Sequence, residues 1–323
     1  MAVDNLNLEV SASPHVRARL STSHIMQLVV LALIPSGCYG VYHFGINALF
    51  HILITIAACV ISEFLYTHFM HKPITVGDGS AVVTGLLLAY TLPVSAPLWV
   101  GVVGGVFAII VVKQLFGGLG KNFMNPALGA RGFLLLSFPK IMTDYTYGLY
   151  DSISSATPLQ ELKESGDISG INVRDMVFGN TGGTIGETCT IAILLGALFL
   201  LMFDIIDIKI PAIIMATLSV FIMLFNYLFG THDFNIYFLS AHLSGGGLML
   251  GAWFMATDYV TRPVTNKGQV IYAFLIGFLI AVFRWFGNNA DGVSFAIIFG
   301  NIVSPLIERL TIRKAFGIGG KHA

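Results

Sequence analysis

The sequence predicts an all-α polytopic membrane protein of about ten transmembrane helices, arranged as two inverted five-helix halves with broken central helices. Three observations carry that prediction. Hydrophobic residues make up 55% and charged residues only 11% of the 323 positions, under half the charge of an ordinary soluble domain. Apolar runs recur along the whole chain. Glycine-rich breaks interrupt some of them in matching places. The formal net charge is zero, so the chain offers no electrostatic footprint for nucleic acid.

Taken in order, residues 1–23 are polar, carry Arg17 and Arg19, and read as a cytoplasmic arm with no cleavable signal peptide. Runs of spanning length follow at 25–44, 46–70, 97–116, 189–203, 210–230 and 269–286. Shorter or interrupted runs lie at 80–93, 126–138, 244–258 and 294–310. A broken helix in lipid frees backbone groups that only protein, ligand or water can satisfy, so these four segments are expected to line the functional centre. The resulting divisions are 1–23, a first half at 24–138, an outer segment at 139–188, a second half at 189–312, and a cytoplasmic tail at 313–323.

Lysine and arginine set the orientation. With the N-terminus inside, Arg17, Arg19, Lys72, Lys113, Lys121, Arg131, Lys209, Arg262, Lys267, Arg309, Arg313, Lys314 and Lys321 fall at cytoplasmic ends, leaving Lys140, Lys163, Arg174 and Arg284 outside. Both termini are therefore expected in the cytoplasm of a cell-membrane protein, and the acidic 139–188 segment outside. The halves echo each other weakly: Gly85 to Ala89 leads to Pro93, Gly251 to Ala256 leads to Pro263, and Asn125-Pro126 matches Ser304-Pro305. Five spans is an odd number, so such a repeat must be inverted in the membrane.

Three glycine-rich breaks stand out: Gly77 to Ser80, Gly117 to Pro126, and Ser244 to Gly247. A helix starting at such a break aims unpaired amides at whatever occupies the gap. The middle break, with Gly120, Asn122 and Asn125, reads either as a capped re-entrant turn or as a cofactor contact; it lacks the spacing of a phosphate loop. Asp78, Asp258 and Asp291 lie at or near breaks and read either as interfacial helix caps or as parts of an ion path. Glu63 lies inside an unambiguous span and requires a partner or water. Cys38, Cys59 and Cys189 are expected to be small buried residues, Trp99, Trp253 and Trp285 belt or packing aromatics, and His68 and His71 lack a third metal ligand nearby.

Thr157 closes the stretch Asp151-Ser152-Ile153-Ser154-Ser155-Ala156-Thr157, directly before Pro158. The proline steers it toward an extended backbone, and small neighbours leave its hydroxyl unobstructed. Two readings fit: a helix cap or turn ahead of Leu159-Gln160-Glu161, or a hydroxyl presented to a modifying enzyme.

Several motifs then occur in order: Lys72-Pro73, Asp78 through Ala89, Phe116 through Asn122 with Asn125-Pro126-Ala127, Ser155-Ala156-Thr157, Ala256-Thr257-Asp258 with Pro263, and Asp291 through Ala296. Together they resemble the Rnf D-subunit family over about residues 12–315. The resemblance implies that Thr157 carries FMN through a phosphoester made by a flavin transferase, with Ser155 and Ala156 completing the acceptor motif. It also implies riboflavin bound non-covalently among the broken helices, with Asn122, Asn125 and Gly120 as candidate contacts. The acceptor often reads Ser-Gly-Ala-Thr in this family, and Ser155 departs from that pattern. The implied machine passes electrons between reduced ferredoxin and NAD+ while moving Na+ or H+ outward, with the A, B, C, E and G subunits as partners. This chain would be one subunit of that translocase, without a nicotinamide or ferredoxin site of its own. Asp78 and Asp291, with Glu63, are the candidate residues of the ion path. The B subunit of the sodium-translocating NADH:quinone oxidoreductase is similar but typically has a longer N-terminal region. A urea- or ammonium-type permease would use the same halves without a flavin acceptor, and a structural anchor would leave Glu63 without a role.

Overall fold

The computed structural model describes residues 21–145, 157–165, 172–230, 236–287 and 292–312. Ser155, Ala156, Asp291, the arm before residue 21 and the tail after residue 312 lie outside the described residues. Among the described residues every regular element is helical, apart from an isolated antiparallel bridge between Pro93 and Thr184.

The first five helices are α1 (Thr22–Phe44), α2 (Ile46–Phe69), α3 (Ser80–Tyr90), α4 (Leu98–Val106, running on as a π-helix over Phe107–Gln114) and α5 (Pro126–Ser137). Three short helices follow: α6 (Pro139–Met142), α7 (Pro158–Ser165) and α8 (Val173–Phe178). The last group is α9 (Thr190–Met202), α10 (Lys209–Phe229), α11 (Ile236–Ser244), α12 (Leu248–Leu250, running on as a π-helix over Gly251–Met255), α13 (Asn266–Phe286) and α14 (Val293–Thr311). Five of these, α1, α2, α10, α13 and α14, are long and apolar enough to cross a bilayer, and α3, α4 and α9 are shorter apolar helices. Tyr42, Leu53, Val220, Met202 and Leu310 are exposed on them, a surface suited to lipid or to other apolar protein. The protein is a multi-pass membrane protein.

Two expectations about the helices change. The 294–310 segment is continuous in α14 despite Pro305, and it is long enough to span. The 189–203 run yields only 13 residues of helix in α9, about 20 Å and short of a bilayer core. The other breaks are as expected: α3 and α5 start at glycine-rich turns, and Gly245–Gly247 parts α11 from α12.

Packing pairs like with like. Within the groups α2 packs on α3 and α4, and α13 packs on α10 and α14. Between them α1 lies along α9, and α5 meets α14, so the first helices of the two groups touch and so do the last. Gly85 permits a close approach of α3 to α2: a Cβ there would fall 2.7 Å from Ile56 Cα.

Contacts also sort the connections into two ends. At one end Ser23 Oγ donates to the Gly77 carbonyl (3.3 Å), the Tyr259 hydroxyl donates to the Ile205 carbonyl, and the Thr265 and Thr311 hydroxyls share a hydrogen bond (2.5 Å). At the other, Ser95 Oγ donates to the Asp144 carbonyl (2.5 Å), the Tyr39 hydroxyl to Asn180 Oδ1 (3.3 Å), and the Lys163 ammonium to the Gly287 carbonyl. Cys59 and Cys189 are buried, whereas Cys38 is exposed on α1.

Candidate functional site

Glu63 lies six residues before the end of α2, about 9 Å along the axis from Phe69, and its side chain is fully buried. Its partners come from two other segments. The Lys113 ammonium donates to both carboxylate oxygens, at 2.8 and 3.0 Å; Gln114 Nε2 donates at 2.9 Å, and Thr75 Oγ1 at 2.7 Å. Lys113 and Gln114 are consecutive, and both reach Glu63 from the π-helical end of α4. Such widened turns are frequent where function constrains a helix. Lys113 also donates to Ser80 Oγ (2.6 Å), and Ser80 donates through both its amide (2.7 Å) and its hydroxyl (2.5 Å) to Asp78 Oδ1. The structure thus joins Glu63 and Asp78, separate in the sequence, through one lysine and one serine. Asp78 also closes the turn that starts α3.

Beside this network is a cavity of about 80 Å³ lined by Lys113, Ser80, Asn122, Asn125, Phe254 and Asp258, among others. Asn125 is the N-cap of α5, accepting from the amides of Ala127 (3.0 Å) and Leu128 (3.4 Å). Asn122 is 7% exposed; its Nδ2 donates to the Met124 carbonyl (2.9 Å), while its Oδ1 is buried with no hydrogen-bond donor. A buried carbonyl oxygen left in that condition costs roughly 1–3 kcal/mol, which a ligand N–H would remove. Gly120 has φ +89° and open space around it; it serves the turn and is not part of the cavity lining.

Thr157 is at the opposite end. It precedes α7, where its Oγ1 accepts a long contact from the Gln160 amide (3.4 Å). That contact uses a lone pair and leaves the O–H bond, the one an ester would replace. Leu159 and Leu162, on one side of α7, are buried, and Lys163 reaches the Gly287 carbonyl. These anchors hold Thr157 against a small cavity of about 50 Å³, shared with Tyr145, Glu187 and the Ser244–Gly247 break. Gly246 and Gly247 have φ +64° and +65°, and a Cβ on Gly247 would meet Glu187 Oε1 at 2.6 Å. Glu187 accepts from Arg131 (2.5 Å) and from Thr184 Oγ1 (2.6 Å). Arg284 lies under the same break and donates to the carbonyls of His242 and Gly245, the latter at 2.8 Å. Burial lowers the affinity of Lys163 for its proton.

Three charges therefore sit differently from the sequence expectation. Lys113 and Arg131, counted at cytoplasmic ends, are buried in ion pairs, and Arg284, counted outside, is buried beneath a helix break. Counting charge by loop cannot register depth. Glu187 and the Lys113–Glu63 pairing escaped the sequence reading, although a buried acid on α2 demanded some partner. No group of three or more His, Cys, Asp or Glu suited to a metal occurs among the described residues.

Comparison with known proteins adds three findings. A family model described as the NQR2, RnfD, RnfE family matches residues 9–317. The chain is similar to the D subunit of the Na(+)-translocating ferredoxin:NAD(+) oxidoreductase complex of Acetobacterium woodii, 46% identical over 319 residues that cover 98% of this chain and 97% of that protein. It is also similar to the D subunit of the proton-translocating ferredoxin:NAD(+) oxidoreductase complex of Clostridium ljungdahlii (39% identical; 95% and 96% covered) and to the D subunit of an ion-translocating oxidoreductase complex of Stutzerimonas stutzeri (37%; 93% and 93%).

Proposed function

The chain belongs to the NQR2, RnfD, RnfE family, and from that premise we propose that it is a membrane subunit of an Rnf-type complex that couples electron transfer between ferredoxin and NAD+ to outward movement of Na+ or H+. Its near full-length similarity to D subunits of such complexes supports this role. Within it, Thr157 is the acceptor for FMN, and the end of the molecule bearing Thr157 faces outward. One observation carries the cofactor reading: Thr157 has its hydroxyl beside a cavity walled by a glycine break, in a position set by the buried Leu159 and Leu162.

The chemistry of the residues present supports both groups. At the outer end, Gly245–Gly247 leave room beside Thr157, and Arg284 supplies a buried positive charge beneath them. At the inner end, the orphaned Asn122 Oδ1 accepts an N–H, and Asn122, Asn125 and Phe254 would hold a second, non-covalent flavin against the apolar wall. When bound, such groups supply one- and two-electron transfer. The chain's own residues orient them, exclude water and hold charge nearby. Glu63 and Asp78, linked through Lys113 and Ser80, are the carboxylates we assign to the ion path on the inner side. Asp291 is retained as a candidate from the sequence. Residues 24–138 and 189–312 are the two halves, and the inner cavity lies between them.

The test is direct. Co-expressed with a flavin transferase, the denatured wild-type chain is expected to fluoresce in a gel and to carry one added FMN mass on the Thr157 peptide. Thr157→Ala should lose both signals. A wild-type peptide from the native complex without added nucleotide mass would refute the covalent flavin.

A further inference from the structure

We propose that Lys113 is a movable counter-ion. It occupies the Glu63 cage in the place of a monovalent cation, and it turns toward the adjoining cavity when a group held there gains negative charge. This rests on the reading that the cavity holds a redox group.

The geometry supplies each part. The Lys113 ammonium has three protons and meets three oxygens, both of Glu63 and Ser80 Oγ, at 2.6 to 3.0 Å. Without it, the Glu63 carboxylate, Ser80 Oγ and Thr75 Oγ1 form a set of hard oxygen donors, with Asp78 one hydrogen bond further. Such donors suit a small alkali cation. The same lysine lines the cavity that holds the orphaned Asn122 Oδ1, so one side chain borders both compartments. A lysine is a compact charge on a flexible stem, which lets it serve either side in turn. Exchanging the ammonium for a cation leaves the local charge unchanged. Removing it with no replacement would strand a buried carboxylate, so the two movements are tied together. Linkage then requires reciprocity: negative charge in the cavity raises cation affinity at Glu63, and a cation at Glu63 favours that charge.

The full-length chain purified in detergent allows a test in two arms, each read as the thermal midpoint in Na+ against equal choline. In the first, no flavin is needed. Oxidised wild type is expected to be indifferent to Na+, Lys113→Met should gain roughly 3 °C or more at about 100 mM Na+, and Lys113→Met with Glu63→Gln should gain nothing. Should Lys113→Met fail to assemble, Lys113→Ser, whose short side chain leaves room for water beside Glu63, gives the same readout. A Lys113 variant indifferent to Na+, or a wild type already as responsive, overturns the proposal. In the second arm, wild type with riboflavin bound, its content measured by extraction, should become Na+-responsive on reduction with dithionite. No change on reduction of flavin-loaded protein also overturns the proposal. Protein that retains no riboflavin instead refutes the flavin reading of the cavity, and the first arm then decides whether Lys113 stands in a cation site.

Discussion

A carboxylate largely withdrawn from water persists only when its charge is met inside the protein, and Glu63 on α2 and Glu187 in the turn before α9 show two solutions at opposite ends. Glu63 is held by an ammonium, an amide and a hydroxyl, and Glu187 by a guanidinium and a hydroxyl. Removing one member of such a pair strands the other. Arg131→Met is therefore expected to lower stability by roughly 3–5 kcal/mol, and Arg131→Met with Glu187→Met by clearly less than the sum of the single losses. A double loss equal to the sum of the two single losses, measured by thermal unfolding in detergent, would mean that the pair is not coupled. Lys163 gives a pH prediction with a definite sign. Burial lowers its proton affinity from the ordinary 10.5, so over that range the unfolded chain binds more protons than the folded one. Stability should rise as pH climbs through the interval, and Lys163→Met should flatten the rise. At this scale the sequence revealed that Glu63 needed a partner but not which one. Lys113 is 50 positions away, and only the packing of α4 on α2 brings them together.

Broken helices turn glycine placement into architecture. Gly246 and Gly247 both take left-handed φ, so two consecutive residues break the helical path between α11 and α12. Gly246→Ala is expected to cost about 1–2 kcal/mol from backbone strain alone, read as a lower thermal midpoint. Gly247→Ala should cost more, because its Cβ would also press on Glu187. An unchanged midpoint for Gly246→Ala would remove the strain argument. The breaks themselves were legible, since glycine runs between apolar stretches have few other uses in a membrane. Their grouping was not. Gly77 to Ser80 and Gly117 to Pro126 converge on one cavity, while Ser244 to Gly247 joins Thr157 at the other end, through contacts between segments distant in sequence. The continuity of α14 was missed because Pro305 reads locally as a stop, whereas α13 and α5 support that helix from outside. The unusual width of the α4 turn had no signal in the residues at all.

For the whole molecule, the class was plain from composition; contacts sort the connections into two ends, and which end faces the cytoplasm is an expectation from the charges alone. Pairing of α1 with α9 and of α5 with α14, first with first and last with last, is what two related groups would give about a common axis. Orientation can be checked by single cysteines on exposed positions. Asp144→Cys should react with a membrane-impermeant maleimide in intact cells, and Val264→Cys, 76% exposed at the opposite end, only after permeabilisation. The reverse pattern would invert the molecule. The seating of α7 bears on how such a protein is made. Once Leu159 and Leu162 are tucked in and Lys163 is fastened to the end of α13, the Thr157 alcohol faces a recess far smaller than any enzyme's catalytic cleft. On the proposed flavin reading, a transferase would then have to reach it before that short helix beds down, or prise the helix up. Maturation would accordingly have a deadline, set by the last packing step at that end.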